Sequence, residues 1–158
     1  KSRYAQELAL QLAENPVYLA TSRVWDEEFR ERVRRHQADR GAQWTNIEEE
    51  KFLSRHDVCG RVVVIDCVTL WGTNFFFDND SDVDKSLGEM REEFDRFTRQ
   101  EATFIFVTNE IGMGGVAVDT VQRRFTDLQG WMNQYIASRA NRVILMVSGI
   151  PVKVKDEK

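Results

Sequence analysis

The sequence predicts an α/β domain with a mainly parallel sheet and flanking helices. Three observations carry that expectation. Four short apolar runs, at 17–21, 62–66, 103–108 and 143–147, recur along the chain and are rich in β-branched and aromatic residues. Each run is continuously apolar rather than alternating, the pattern of strands covered on both faces. Segments of helical periodicity fill the gaps, and strands that alternate with helices build a parallel sheet.

Taken in order, residues 2–13 place Tyr4, Leu8 and Leu12 on one helical face beside Ala5, Ala9 and Ala13. Asn15-Pro16 then stops that helix. After the first apolar run, Trp25, Phe29 and Val33 form the stripe of a second helix, and Asp26, Glu27 and Glu28 suit its N-terminal turn. The run ending in Asp66 is the next strand. A third helix over 84–99 carries Leu87, Met90, Phe94 and Phe97 on its inner face. After the strand at 103–108, a fourth helix over 119–139 carries Val121, Phe125, Leu128, Met132 and Tyr135. The run at 143–148 is expected to join the parallel sheet, and a short strand at 152–154 follows the turn at 149–151. The DNDSDVD segment at 78–84 lacks the glycine and distal glutamate of a calcium loop, so it reads as a solvated connection.

Composition narrows the function classes. At 158 residues, with 42% hydrophobic and 30% charged residues, the chain suits one soluble domain with a real core. A formal charge of −4 leaves no electrostatic footprint for DNA or RNA. No apolar run approaches the roughly 20 residues that span a bilayer. The opening KSRYAQE does not read as a signal peptide. Cys59 and Cys67 have no paired metal spacing, so the expectation is a cytoplasmic protein with free thiols.

Ligands of open parallel sheets bind beyond the carboxyl ends of the strands. Thr21-Ser22, Asp66, Asn109-Glu110 and Ser148-Gly149 all follow directly on expected strands. Lys1-Ser2 leads straight into a helix, the position that Gly-Lys-Ser/Thr holds in a phosphate-binding loop. The domain therefore reads as 1–158, of the P-loop nucleoside triphosphate hydrolase type, with its first strand and most of its glycine-rich loop lying upstream of Lys1. Asp66 closes Val-Val-Val-Ile-Asp, the pattern of a magnesium-supporting Walker B aspartate, although a turn or cap residue would look the same. His56 sits in a polar connection and reads as a surface residue. His36 lies i+3 from Val33 and i+7 from Phe29, so it is either a buried structural histidine on that stripe or a nucleophile. Gly112 to Gly115 is a glycine-rich turn without the spacing of a dinucleotide loop.

In order, these segments closely resemble the adenosylcobinamide kinase / adenosylcobinamide-phosphate guanylyltransferase family. The resemblance is carried by Lys1-Ser2-Arg3, Ala20-Thr21-Ser22, Asp26-Glu27-Glu28, Arg32-Val33 with His36, then Arg40, Trp44 and Glu48. It continues through Asp66-Cys67-Val68-Thr69-Leu70-Trp71, Thr73-Asn74 and the diagnostic Val107-Thr-Asn-Glu-Ile-Gly-Met-Gly114. Phe125, Asp127, Gly130, Asn133-Gln134 and Val147-Ser-Gly-Ile-Pro-Val-Lys153 complete it. Two departures stand out. Gly41 follows Arg40 where the family usually has proline, and Arg35 precedes His36 where some members carry a second histidine.

The resemblance implies a bifunctional enzyme of cobalamin biosynthesis. It would phosphorylate adenosylcobinamide with a nucleoside triphosphate, ATP or GTP, and then transfer GMP from GTP to that phosphate. It implies His36 as the nucleophile that carries GMP. Lys1, Ser2, Ala20, Thr21, Ser22, Gln37, Ala38, Asp39, Arg40, Glu48 and Asp66 would line the nucleotide site, with Ser2 and Asp66 holding Mg2+. It implies a homotrimer whose partners are adenosylcobinamide, its phosphate and the nucleotides. Asn109, Glu110, Asp127 and Asn133 fit the pattern without an assigned role. Two rival readings are a phosphate-loop kinase of another small molecule, which leaves His36 idle, and a nucleotide-binding assembly subunit without catalysis.

Overall fold

The structure is a computed structural model that describes residues 1–157. Its elements run α1 (Ser2–Leu12), β1 (Val17–Ala20), α2 (Glu27–Arg40), β2 (Thr45–Glu48), β3 (Val62–Asp66) and α3 (Val68–Asp78). They continue with α4 (Val83–Phe97), β4 (Thr103–Val107), α5 (Thr120–Arg139), β5 (Arg142–Val147) and β6 (Ile150–Asp156). Four strands form one parallel sheet in the order β2-β1-β3-β4.

Two layers of helix cover this sheet. On one face the small residues Ala5 and Ala9 of α1 lie close against Tyr18, Val62, Val64 and Val107, with Trp44 beside them. On the other face Leu19, Val63 and Ile65 meet Trp71 and Phe75 of α3, Met90, Phe94 and Phe97 of α4, and Leu128 and Met132 of α5. Alternation along β1 and β3 sorts the side chains: Tyr18, Val62 and Val64 point to α1, and Leu19, Val63 and Ile65 point away from it. Asp66 shares the parity of Val62 and Val64 and so belongs to the α1 face.

Three elements differ from the sequence expectation. Helix α3 was not foreseen, because burial at Val68, Trp71, Gly72, Asn74, Phe75 and Phe76 wraps it too widely for a clean apolar stripe. Strand β2 was not foreseen either, being four residues of mixed polarity. The run at 143–148 is a strand, but it does not join the parallel sheet: β5 pairs antiparallel with β6 in a separate two-stranded sheet. The cause is local. Ser148 and Gly149 both adopt positive φ, 51° and 79°, which is the backbone of a two-residue hairpin turn.

The second helix begins where the acidic residues placed it. The Asp26 carboxylate accepts the Phe29 N–H at 2.8 Å as an N-cap. Its expected apolar stripe is not a core contact, however. Trp25 precedes the helix and is 64% exposed, and no residue of α2 is buried.

Candidate functional site

The carboxyl ends of the four parallel strands bring the expected residues into one row. Ala20 of β1 is in register with Glu48 of β2 on one side and with Asp66 of β3 on the other, and Asp66 is in register with Val107 of β4. Adjacent strands lie about 4.8 Å apart, so Glu48 and Asp66 flank Ala20 on a shelf about 10 Å wide. Glu48 is exposed and Asp66 half-buried. The peptide bond from Asp66 to Cys67 is cis.

Lys1 and Ser2 stand at the same edge. Helix α1, which Lys1 caps and Ser2 opens, packs on β3 and β4. The Lys1 ammonium donates to Asn109 Oδ1, and Asn109 Nδ2 donates to Thr69 Oγ1 at 2.8 Å near the start of α3. Asn109 thereby acquires a place: it joins the head of α1 to the head of α3. Asn133 and Gln129 of α5 hold the same loop from behind. Asn133 accepts from Thr108 Oγ1 at 2.6 Å and donates to the Asn109 carbonyl at 2.9 Å and to Glu110 Oε1 at 3.2 Å. Gln129 donates to Thr108 Oγ1 at 2.7 Å. Asp127 is exposed.

Thr21 is wholly engaged by the protein. It is fully buried; its hydroxyl donates to the Cys67 carbonyl at 2.7 Å and accepts the Cys67 N–H at 3.0 Å. Its backbone N–H donates to the Asp66 carbonyl at 3.1 Å, and its own carbonyl accepts from Asn74 Nδ2 at 2.8 Å. Thr21 latches the end of β1 to the end of β3, and Ser22 follows half-buried.

Sequence reasoning missed Tyr18. Its phenol donates to Asp66 Oδ2, and its ring packs edge-on against Trp44 at 5.8 Å. Arg40 lies over the same ring at 3.6 Å and donates from Nη2 to Asn46 Oδ1 at 2.7 Å. Burial, and then the Asp66 carboxylate, raise the Tyr18 phenol well above its usual range, so it stays a proton donor. Burial lowers the Arg40 guanidinium, with Tyr18 and Asp66 opposing that shift. Apart from its parity with Ala20 along β1, nothing in the apolar run marks Tyr18 as polar in function.

His36 is exposed, so the structural-core reading of it is overturned. It stands on the outer part of α2 with Gln37, Ala38 and Asp39, one turn before Arg40. Arg40 is thus the residue of this segment that reaches the sheet. His56 also departs from expectation: it is half-buried, and its Nε2 pairs with Glu49 Oε1 at 3.0 Å. Glu49 further accepts the N–H groups of Lys51 and Phe52 at 3.1 and 3.0 Å. Burial would raise the Glu49 carboxyl, but these donors win and hold it below its usual range. The acidic run 48–50 is therefore not a uniformly solvated face.

A cleft of about 270 Å³ opens between β4 and β5. It is largely apolar, with Tyr4 and Leu8 of α1, Phe104 and Phe106 of β4, and Ile144 and Met146 of β5 among its walls. Among the described residues β4 pairs only with β3, and β5 only with β6, so each strand turns an unpaired edge toward this space.

No described helix is long and apolar enough to cross a membrane. Cys59 and Cys67 are free, and among the described residues no three His, Cys, Asp or Glu side chains cluster as a metal cage.

The sequence matches the family model described as cobinamide kinase / cobinamide phosphate guanyltransferase over residues 1–154. It is 35% identical to the bifunctional adenosylcobalamin biosynthesis protein CobP of Pseudomonas aeruginosa, over 99% of this chain and 92% of that protein. It is 34% identical to the bifunctional adenosylcobalamin biosynthesis protein CobU of Escherichia coli, over 98% of this chain and 93% of that protein. The corresponding protein of Salmonella typhimurium is 31% identical over the same shares.

Proposed function

The chain belongs to the cobinamide kinase / cobinamide phosphate guanyltransferase family, and on that premise we propose that it carries out both reactions named there, using the strand-end row as its nucleotide site. The substrates are adenosylcobinamide and then its phosphate, with ATP or GTP as phosphoryl donor and GTP as source of GMP. The observation that carries this reading is the row itself. Family membership gives the chemistry, and the register sets Glu48, Ala20 and Asp66 side by side on the α1 face, with Lys1 at the same edge.

The residues present suit magnesium. The proposed ligands are oxygens, Ser2 Oγ and the Asp66 carboxylate, and Asp66 Oδ1 has no hydrogen-bond donor among the described residues. One hydroxyl and one carboxylate suit an ion that keeps several waters and takes phosphate oxygens. When bound, Mg2+ would neutralise phosphate charge in both reactions. The chain's own residues do the rest. The Lys1 ammonium and the first N–H groups of α1 bind phosphate oxygens and align them. Arg40 offers a second cation, and Glu48 can accept hydrogen bonds from guanine N–H groups or ribose hydroxyls. In guanylyl transfer a His36 ring nitrogen attacks the α-phosphorus, and the bond to pyrophosphate breaks. The phosphoramidate so formed is attacked by the cobinamide phosphate oxygen, which releases His36.

The cleft between β4 and β5 supports the expected place of a phosphate loop. A strand laid there parallel to β4 would pair with both open edges and deliver its carboxyl end to Lys1. We further assign the protein to the cytoplasm and to a homotrimer; the exposed apolar stripe of Ile150, Val152 and Val154 on β6 suits a subunit contact. The proposal is tested by incubating the intact protein with adenosylcobinamide, Mg2+ and GTP. Mass spectrometry should show the phosphorylated corrinoid first and the GDP-linked corrinoid later. Recovery of unchanged adenosylcobinamide would refute catalysis and leave a nucleotide-binding subunit.

A further inference from the structure

We propose that Tyr18 is a positioning residue for the phosphate-transfer site: its hydroxyl holds one oxygen of Asp66 so that the other faces the metal and phosphate. The inference rests on the assignment of Asp66 to the magnesium site. Tyr18 is in register with Val64, and Asp66 lies two residues further along β3 on the same face. That diagonal separation is within reach of an aromatic side chain. The phenol spans it and donates to Asp66 Oδ2, while Oδ1 has no donor among the described residues.

The ring is held on both sides. Trp44 meets it edge-on, with ring planes at 86°, and the Arg40 guanidinium lies 3.6 Å from its centroid. Only 8% of Tyr18 is exposed. A position that needed apolar bulk alone would be served by phenylalanine, and burying a hydroxyl costs stability unless it finds a partner. Here the recorded partner is the Asp66 carboxylate. A free carboxylate rotates broadly about its last torsion, and a fixed donor selects one plane. Hydrogen bonds to a metal-binding carboxylate are typically worth about 10–100-fold in metal affinity.

The test uses Tyr18→Phe, which keeps the ring between Trp44 and Arg40 and removes only the hydroxyl. Binding of α,β-methylene-GTP, a GTP analogue that cannot lose pyrophosphate to His36, is measured by calorimetry on the intact protein, first in EDTA and then across a Mg2+ titration, with Asp66→Asn alongside. Thermal melting confirms that each variant is folded. The expected result is unchanged analogue affinity in EDTA and about tenfold more Mg2+ needed for half the metal-dependent gain. A purely structural role predicts a lowered melting temperature and equal losses with and without Mg2+, which would overturn the proposal. A folded Tyr18→Phe protein with wild-type Mg2+ dependence, beside an Asp66→Asn protein that has lost it, would overturn the role of Tyr18 alone. Wild-type dependence in both variants would overturn the placement of Asp66 at the metal, and this inference with it.

Discussion

Thr21 shows how far a single side chain was legible. Its position after an apolar run placed it at a strand end, and resemblance placed it in the nucleotide site. The structure gives its hydroxyl another occupation, donating to one backbone group of Cys67 and accepting from another. Thr21→Val keeps the shape and leaves the Cys67 N–H unpaired in a buried setting, while the Cys67 carbonyl keeps the Trp71 N–H at 3.1 Å. It should lower the unfolding free energy by about 1–3 kcal/mol in urea at pH 7; an unchanged midpoint would refute the latch. Asp66→Asn removes charge at the edge of the same latch but keeps its size. The variant should stay folded by circular dichroism and lose Mg2+-dependent phosphorylation by orders of magnitude, and near-normal turnover would rule out its metal role. The place of Asp66 at a strand end was legible because a carboxylate ending Val-Val-Val-Ile is conspicuous. Tyr18 was not, because one hydroxyl in an apolar strand has no sequence signature until its diagonal neighbour is known.

At the scale of elements, the sequence foretold those with a clean period and missed those shaped by tertiary contacts. Helices α1, α4 and α5 carry one apolar face and were read within a few residues. Helix α3 is buried on all but its Leu70-Thr73-Phe77 face because it crosses the carboxyl edge, from Thr69 beside Asn109 to Asn74, which donates to the Thr21 and Glu50 carbonyls. Its far end is held by charge. Asp78 accepts from both Nη atoms of Arg23 at 2.9 Å and from Lys51 at 3.1 Å. These partners, Arg23 first, pull the Asp78 carboxyl from its ordinary 3.8 to about 2. A depressed carboxyl stabilises the fold above its unfolded value and loses that contribution as pH falls through the folded one. Asp78→Asn should therefore be less stable than the parent at pH 6, with the difference shrinking between pH 3.8 and 2. Asp78 is about one-third exposed, so the effect is small. A difference that persists at pH 2 would assign it to packing. The run at 143–147 was read as a parallel strand because its interior composition is that of one. Its partner was decided by the turn at Ser148-Gly149, whose two positive φ angles bring the chain straight back.

At the scale of the whole molecule, the two chemistries make different demands on the architecture. On the proposed assignment, the kinase step would use the strand-end row and the head of α1. Guanylyl transfer, as proposed, would also use His36, which rides on α2, a helix with no buried residue. Assembly is a separate claim at this scale. If β6 supplies a subunit contact, Val152→Glu should reduce the mass measured by light scattering from trimer to monomer without unfolding the chain; an unchanged trimer would locate the contact elsewhere. The central claim, that one protein joins both reactions through His36, is tested most directly by covalent labelling. Intact protein is incubated with Mg2+ and GTP labelled at the α-phosphorus, then denatured and digested. The label should map to the peptide containing His36, survive base and be lost in acid, as a phosphoramidate is. His36→Asn should abolish labelling and guanylyl transfer while sparing phosphorylation of the corrinoid hydroxyl, which needs no enzyme nucleophile. Label retained in a folded His36→Asn protein, or mapped to His56, would contradict the account.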